Sequence, residues 1–213
     1  MQKSDKSARP DASTASAPRA RGRPRAFDRD AALAQATHLF WSKGYEATSI
    51  ADLTEAMGIG SPSLYAAFGS KDALYAEAVR HYEQTYRGVV WAGFEAATTA
   101  REAVWALLRD SAAGLTGKVQ DVPHGCMVAL STVDGEEHGE LCSLLRTARS
   151  GTLVRVTARL KQAIQEGELP PDTDVHALAR FVQTLQGGMS ILARDGISGD
   201  ELYAVAEVAM LGF

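Results

Sequence analysis

Residues 48–68, TSIADLTEAMGIGSPSLYAAF, decide how the chain is read. Ile50, Ala51, Leu53, Ala56 and Met57 recur at the three-and-four spacing of one helix face, behind Thr48, whose hydroxyl can cap the orphan amides of a helix start. Gly58 stops that helix. Ile59-Gly60-Ser61-Pro62 then makes a tight turn, with Ser61 as the next cap and Pro62 at the first helical position, where its missing N–H costs nothing. A very short helix, 63–68, follows before Gly69-Ser70 breaks the chain again. Helix, glycine turn, short helix is the arrangement in which the second helix can lie in the major groove of DNA. Spacing alone is not specific, because many helical bundles join two short helices in this way.

Three local features favour DNA over a plain bundle. The short helix is small at Ser61, Ser63, Ala66 and Ala67, which lets its backbone approach base edges. Its polar front end points amides outward, toward phosphate. Lys71 opens the next helix, where a cation opposes the helix dipole, and a phosphate partner would resolve that placement.

Outward from this stretch, the periodicity stays helical. Ala31, Ala32, Leu33, Ala36, Leu39 and Phe40 mark a preceding helix, capped by Asp28 and stopped at Gly44. Ser70 caps a long following helix that reaches Thr85 or beyond, and about 101–115, 136–166, 173–194 and 198–211 carry the same spacing. No alternating β-branched run competes. The expected fold is all-α, divided into an arm (1–26), a helix-turn-helix head (27–72) and a helical body (73–213).

Composition permits a buried core, at 46% hydrophobic and 23% charged over 213 residues. No apolar run is long enough for a membrane span and no secretory leader is seen, so a cytoplasmic protein is expected. The net charge of -4 hides a split. Ahead of Phe27 stand seven bases against two acids, and the remainder carries 15 bases against 24 acids. A basic arm on an acidic body is the asymmetry expected when one end touches a polyanion. The arm is rich in Ser, Ala, Pro and Arg, holds almost nothing to bury, and reads as disordered.

The run 40–74, FWSKGYEATSIADLTEAMGIGSPSLYAAFGSKDAL, resembles the N-terminal DNA-binding domain of the TetR family of bacterial transcriptional regulators. The resemblance rests on Phe-x-x-x-Gly-Tyr, the Thr-Ser-Ile-x-x-Leu helix opening, the Gly-x-Gly turn and the Leu-Tyr-x-x-Phe-x-x-Lys-x-x-Leu tail, and the run is about a sixth of the chain. It implies that the short helix reads the major groove, with Gly60, Ser61, Pro62, Ser63 and Ala66 facing bases or backbone. Tyr65, Lys71 and Thr48 match positions that contact phosphate. Ala66 and Ala67 stand where the family often has histidine or a larger polar residue, which shifts weight toward thymine methyls and DNA shape. On the residues alone, Tyr65 and Phe68 can instead pack the core, and Trp41 is expected against the body rather than on DNA.

Arg21-Gly22-Arg23-Pro24 is the core of an AT-hook, whose extended strand sets two guanidinium groups in a narrow A-T minor groove, with Arg25 beyond. The alternative is a generic basic tail that adds salt-sensitive phosphate affinity.

For the body, the resemblance implies a ligand-binding and dimerisation domain whose occupancy changes the separation of two reading heads. The small and apolar residues of the last two helices (Ala177, Ala179, Gly187, Gly188, Ala204, Ala206, Ala209) suit a two-fold four-helix interface or an intramolecular core. Pocket candidates are Tyr86, Trp91, Phe94, Trp105, Met127, Leu130 and Met189, the large apolar side chains of the central helices. Aromatic and Met side chains at helical spacing are also ordinary core. Cys126 and Cys142 read as free thiols, and buried free cysteine is commonly inert. The five histidines have no HxxxH or HExxH spacing, so neither a metal nor another cofactor is expected.

The leading expectation is a homodimeric repressor that binds a palindromic operator and is released by a small-molecule effector. A small helical enzyme is the first alternative, but no GxSxG, P-loop or clustered acid and base is present. An architectural protein that binds DNA without sequence preference is the second, and the acidic body speaks against it.

Overall fold

The computed structural model describes residues 27–118, 122–133 and 138–213, and every regular element among them is helical. The arm with Arg21, Arg23 and Arg25 lies outside the described residues. In chain order the helices are α1 (Arg29–Lys43), α2 (Ile50–Met57), α3 (Ser61–Phe68), α4 (Lys71–Ala96), α5 (Ala100–Leu115), α6 (Met127–Leu130), α7 (Gly139–Gln165), α8 (Val175–Arg194) and α9 (Gly199–Ala209). A 3-10 turn, Met210–Gly212, tightens the end. No described helix is long and apolar enough to cross a membrane.

The helix starts follow side-chain chemistry, with two departures from the capping residues that the sequence suggests. Asp28 caps α1 as expected, accepting from the amides of Asp30 and Ala31. The cap of α2 is Ser49 rather than Thr48. Ser49 and Asp52 close a reciprocal capping box, while Thr48 is fully buried and its hydroxyl donates to Gly44 O at 2.6 Å. Gly60, not Ser61, caps α3, which puts Ser61 first in the helix and Pro62 second. Asp174 caps α8, whereas the Thr173 hydroxyl turns back to Pro170 O. Gly58 ends α2 in the left-handed region at φ 65°, a conformation that glycine adopts without a Cβ penalty.

Two apolar clusters hold the chain together. The first gathers Phe40, Trp41 and Tyr45, then Leu53, Leu64 and Phe68, then Leu74, Tyr75 and Val79, and continues into Met127, Val128, Leu141 and Leu145. The second is built around α5 (Val104, Leu107, Leu108, Ala112), with Phe94, Val156, Leu160, Val182, Met189 and Leu202. Helix α4 serves both clusters. Its 26 residues span about 39 Å at 1.5 Å per residue. Because the first cluster mixes α1 to α3 with α6 and α7, the helix-turn-helix packs directly on the body.

Polar contacts fix that junction. The Trp41 indole donates to Gly125 O at 2.8 Å, and Arg194 at the end of α8 donates to Trp41 O and His124 O, each at 2.8 Å, and to Ser42 O at 3.2 Å. On the opposite side, Asp72 accepts from the Tyr45 hydroxyl and meets His138 Nδ1 at 2.8 Å, which joins the starts of α4 and α7. These two partners hold the Asp72 carboxyl below its ordinary value, Tyr45 more than His138.

Candidate nucleic-acid interface and the cavity behind it

Helix α3 is seated by Leu64 and Phe68, both buried, which leaves Ser61, Pro62, Ser63, Tyr65 and Ala66 exposed along one face. Tyr65 is 48% exposed, so it stands out of the core, whereas Phe68 packs inside it. The hydroxyls of Ser61 and Ser63 have no hydrogen-bond partner among the described residues, and the front of the helix is uncovered. Its far end is set by Arg29, which stacks 4.3 Å from the centre of the Phe68 ring and pairs with Glu77 at 2.8 Å. This ion pair is exposed and contributes only about 0–1 kcal/mol, so its value is positional.

The charges around this face are largely engaged within the protein. Lys43 pairs with Asp52 at 2.9 Å, and that ammonium together with the Ser49 hydrogen bonds holds the Asp52 carboxyl far below its ordinary range. Lys71 does open α4, as read, but its ammonium lies 4.1 Å over the Tyr45 ring. This cation–π contact offsets the cation at the helix start within the protein itself. Thr48, another expected phosphate contact, has its hydroxyl turned inward, and Ser49 is the exposed residue there.

Behind the head, α4 to α8 line a partly open cavity of about 530 Å³. Of the pocket candidates that the sequence suggests, Tyr86 and Trp91 line it. Phe94 and Met189 are buried in the second cluster and Met127 in the first, while Trp105 packs edge-on against Tyr203. Leu130 lies at the end of α6, beside Gly125 rather than on the cavity wall. Aromatic and apolar size alone selects these residues and misses the polar lining. Ser111 stands among Leu107, Leu108 and Leu115 on an otherwise apolar face and is the kind of signal that could have found it. Ser111, Thr152 and Gln186 form a chain, with Thr152 donating to the Gln186 carbonyl at 2.7 Å and the Gln186 amide donating to Ser111 at 3.0 Å.

The cavity reaches the head through aromatic rings. Tyr82 and Tyr86 line it, and both meet Trp41 edge-on at centroid distances of 4.8 and 5.1 Å. Burial pushes the Tyr82 phenol well above its usual range, with the Cys126 thiol beside it adding to the rise. Cys126 also lines the cavity, whereas Cys142 donates to Val133 O at 3.2 Å. Among the described residues, no three His, Cys, Asp or Glu side chains are grouped to hold a metal.

A helix-turn-helix with an open second helix, set on a hollow helical body, defines a DNA-binding regulator. The family comparisons agree with that class. Residues 32–78 match the family model for bacterial regulatory proteins of the tetR family, and residues 100–194 match the tetracyclin repressor-like C-terminal domain. The HTH-type transcriptional repressor ComR of Escherichia coli is 37% identical over 198 residues, covering 91% of this chain and 92% of ComR. A cysteine mutant of the TetR family regulator CifR, solved with 26bp double-strand operator DNA, superposes with a TM-score of 0.84 at 40% identity, over 90% of this chain and all of that one. A regulator from Rhodococcus sp. RHA1 is 39% identical over 86% of this chain and 97% of its own, with a TM-score of 0.56. The chain belongs to the TetR family of transcriptional regulators. Its relatives regulate transcription, which removes the enzyme alternative.

Proposed function

We propose that this chain is a homodimeric repressor that binds a palindromic operator and is released when a small molecule fills the cavity. The observation that carries this reading is the aromatic contact between cavity and head. Tyr82 and Tyr86 each present one side to the cavity and another to Trp41 of α1, so occupancy that moves either ring shifts the helix on which α2 and α3 pack. Exposed Ser61, Ser63, Tyr65 and Ala66 read the operator, Gly60 and Pro62 bring the helix front close to it, and Lys71 and the exposed edge of α2 take phosphate. Arg21, Arg23 and Arg25 add minor-groove or phosphate contacts from the arm. The head then corresponds to 27–72 and the body to 73–213.

Dimerisation has its own support. Phe181, Ile191 and Leu192 on α8 and Val205, Val208 and Leu211 at the chain end are exposed large apolar side chains, with Val208 at 67% and Leu211 at 85%. Such a face is buried by a two-fold copy, which also sets two reading helices on successive major grooves. The name of ComR gives it as a repressor, and the CifR operator complex supports a duplex of comparable length here. Selecting bound duplexes from a random pool tests the reading. An inverted repeat protected by two protomers supports it, and binding without sequence preference favours the architectural alternative.

A further inference from the structure

The cavity offers hydrogen-bond donors and positive charge in excess of what the protein itself consumes. Arg80, Arg149 and Arg155 line it against a single carboxylate, Glu83. Arg155 is occupied, stacked 4.6 Å over Trp91 with Glu95 at 3.8 Å. Arg149 is not. Its hydrogen bonds run only to backbone carbonyls and are long, 3.3 Å to Leu145 O and 3.4 Å to Ser131 O, and no carboxylate stands within ion-pair distance among the described residues. Ser111 adds a second vacancy for an acceptor. Fully buried, it accepts from Gln186, and its own proton has no acceptor among the described residues. Ser111, a buried donor, strongly favours a partner, and a guanidinium facing a partly enclosed site favours an oxyanion such as a carboxylate. The rest of the wall sets aromatic and apolar side chains, Trp91, Tyr86, Val90 and Leu115, beside the uncharged polar Gln84, Thr152, Gln183 and Gln186.

We infer that the effector is a small organic monocarboxylate with an aromatic or medium-chain aliphatic body, its acid group paired with Arg149, an acceptor oxygen within reach of Ser111, and its body against Trp91 and Tyr86. This rests on the reading of the cavity as the effector site and adds the chemical class. A volume of about 530 Å³ lies within the range of small-molecule sites. The charge also gives selectivity, since a neutral twin of the same shape leaves the Arg149 charge unanswered.

The test is titration calorimetry on the full chain with 4-phenylbutyrate and octanoate, each beside its primary amide. The acids should bind about tenfold or more tightly than the amides. Arg149→Gln should bring acid and amide within about threefold, and Arg149→Lys, which keeps the charge, should retain a preference for the acid. The acid-to-amide ratio of the unaltered chain needs no variant, so it stands even if a variant misfolds. Equal affinity for acid and amide overturns the charge class and leaves the cavity reading intact, as does the absence of binding by both acids when an amide binds. Cavity occupancy is read separately with Gly151→Leu, whose added side chain enters open space on the lining. Acid binding that this variant leaves unchanged overturns the cavity reading and the inference with it.

Discussion

Trp41 donates its indole N–H to Gly125 O across 2.8 Å, which locks the end of α1 to the loop ahead of α6. The acceptor has to be this close. A Cβ at position 125 would meet Ser190 O at 2.8 Å, and the residue sits at φ 77°, so glycine alone lets the loop pass between α8 and the indole. The same tryptophan is held through its own carbonyl by Arg194 and touches both cavity tyrosines. One residue therefore takes part in the core, in the head-to-body strap and in the layer behind the cavity tyrosines.

Trp41→Phe keeps an aromatic ring and removes the donor. It leaves Gly125 O buried without its partner, at a cost of about 1–3 kcal/mol. Urea denaturation should show the midpoint falling by a corresponding amount, and an unchanged midpoint would mean that the hydrogen bond carries no net stability.

Ser63 and Lys71 should separate base reading from phosphate contact. Ser63→Ala should change which selected operators are preferred. Lys71→Ala should weaken binding to all of them alike and reduce the slope of log affinity against log salt by about one. A salt slope that stays the same would restrict Lys71 to its contact with Tyr45.

Asp72 should leave a signature at acid pH. Its carboxyl is held below the ordinary value of 3.8 by Tyr45 and His138. A folded-state value below the unfolded one gives stability that is fully present above about pH 4 and is lost as pH falls through the lowered value. Asp72→Asn should therefore lower the melting temperature at pH 7, with the gap to the unaltered chain closing toward pH 3. A gap that stays constant across that range would assign the loss to packing alone.

Val208→Glu places a carboxylate in the middle of the exposed α8–α9 face. Sedimentation should show a dimer for the unaltered chain and a monomer for the variant, with helical content maintained. A variant that remains dimeric would move the interface elsewhere.

The elements were legible in the sequence because the signals for them are local. Asp28, Gly44, Gly58 and Ser70 punctuate the chain where the helices begin and end, and the apolar spacing of 50–57 and 61–68 identifies the faces that bury Leu53, Leu64 and Phe68. Helix α6 has only four residues, too few to display a period. The capping residue of α2 was misplaced by one because Thr48 and Ser49 are both capping residues, and the turn of the Thr48 hydroxyl back to Gly44 O leaves Ser49 to cap. The contact of Lys71 with Tyr45 was not legible, since Tyr45 lies 26 positions away and the contact exists only after folding. The cavity was least legible. Phe94, Met127 and Met189 have the composition of a pocket wall but point into cores, whereas the residues that give the cavity its chemistry, Arg149 and Ser111, are brought together from α7 and α5 by long-range packing.

The central claim is that the exposed face of α3 reads DNA, and Ala66→Glu tests it most directly. Ala66 is exposed on that face and supports no core contact, so the variant should keep its melting temperature while a carboxylate is set against the phosphates and base edges. Measured on an operator selected by the unaltered chain, the Kd should rise by about a hundredfold or more. An undiminished affinity in a folded variant would contradict the account and assign operator binding to another surface.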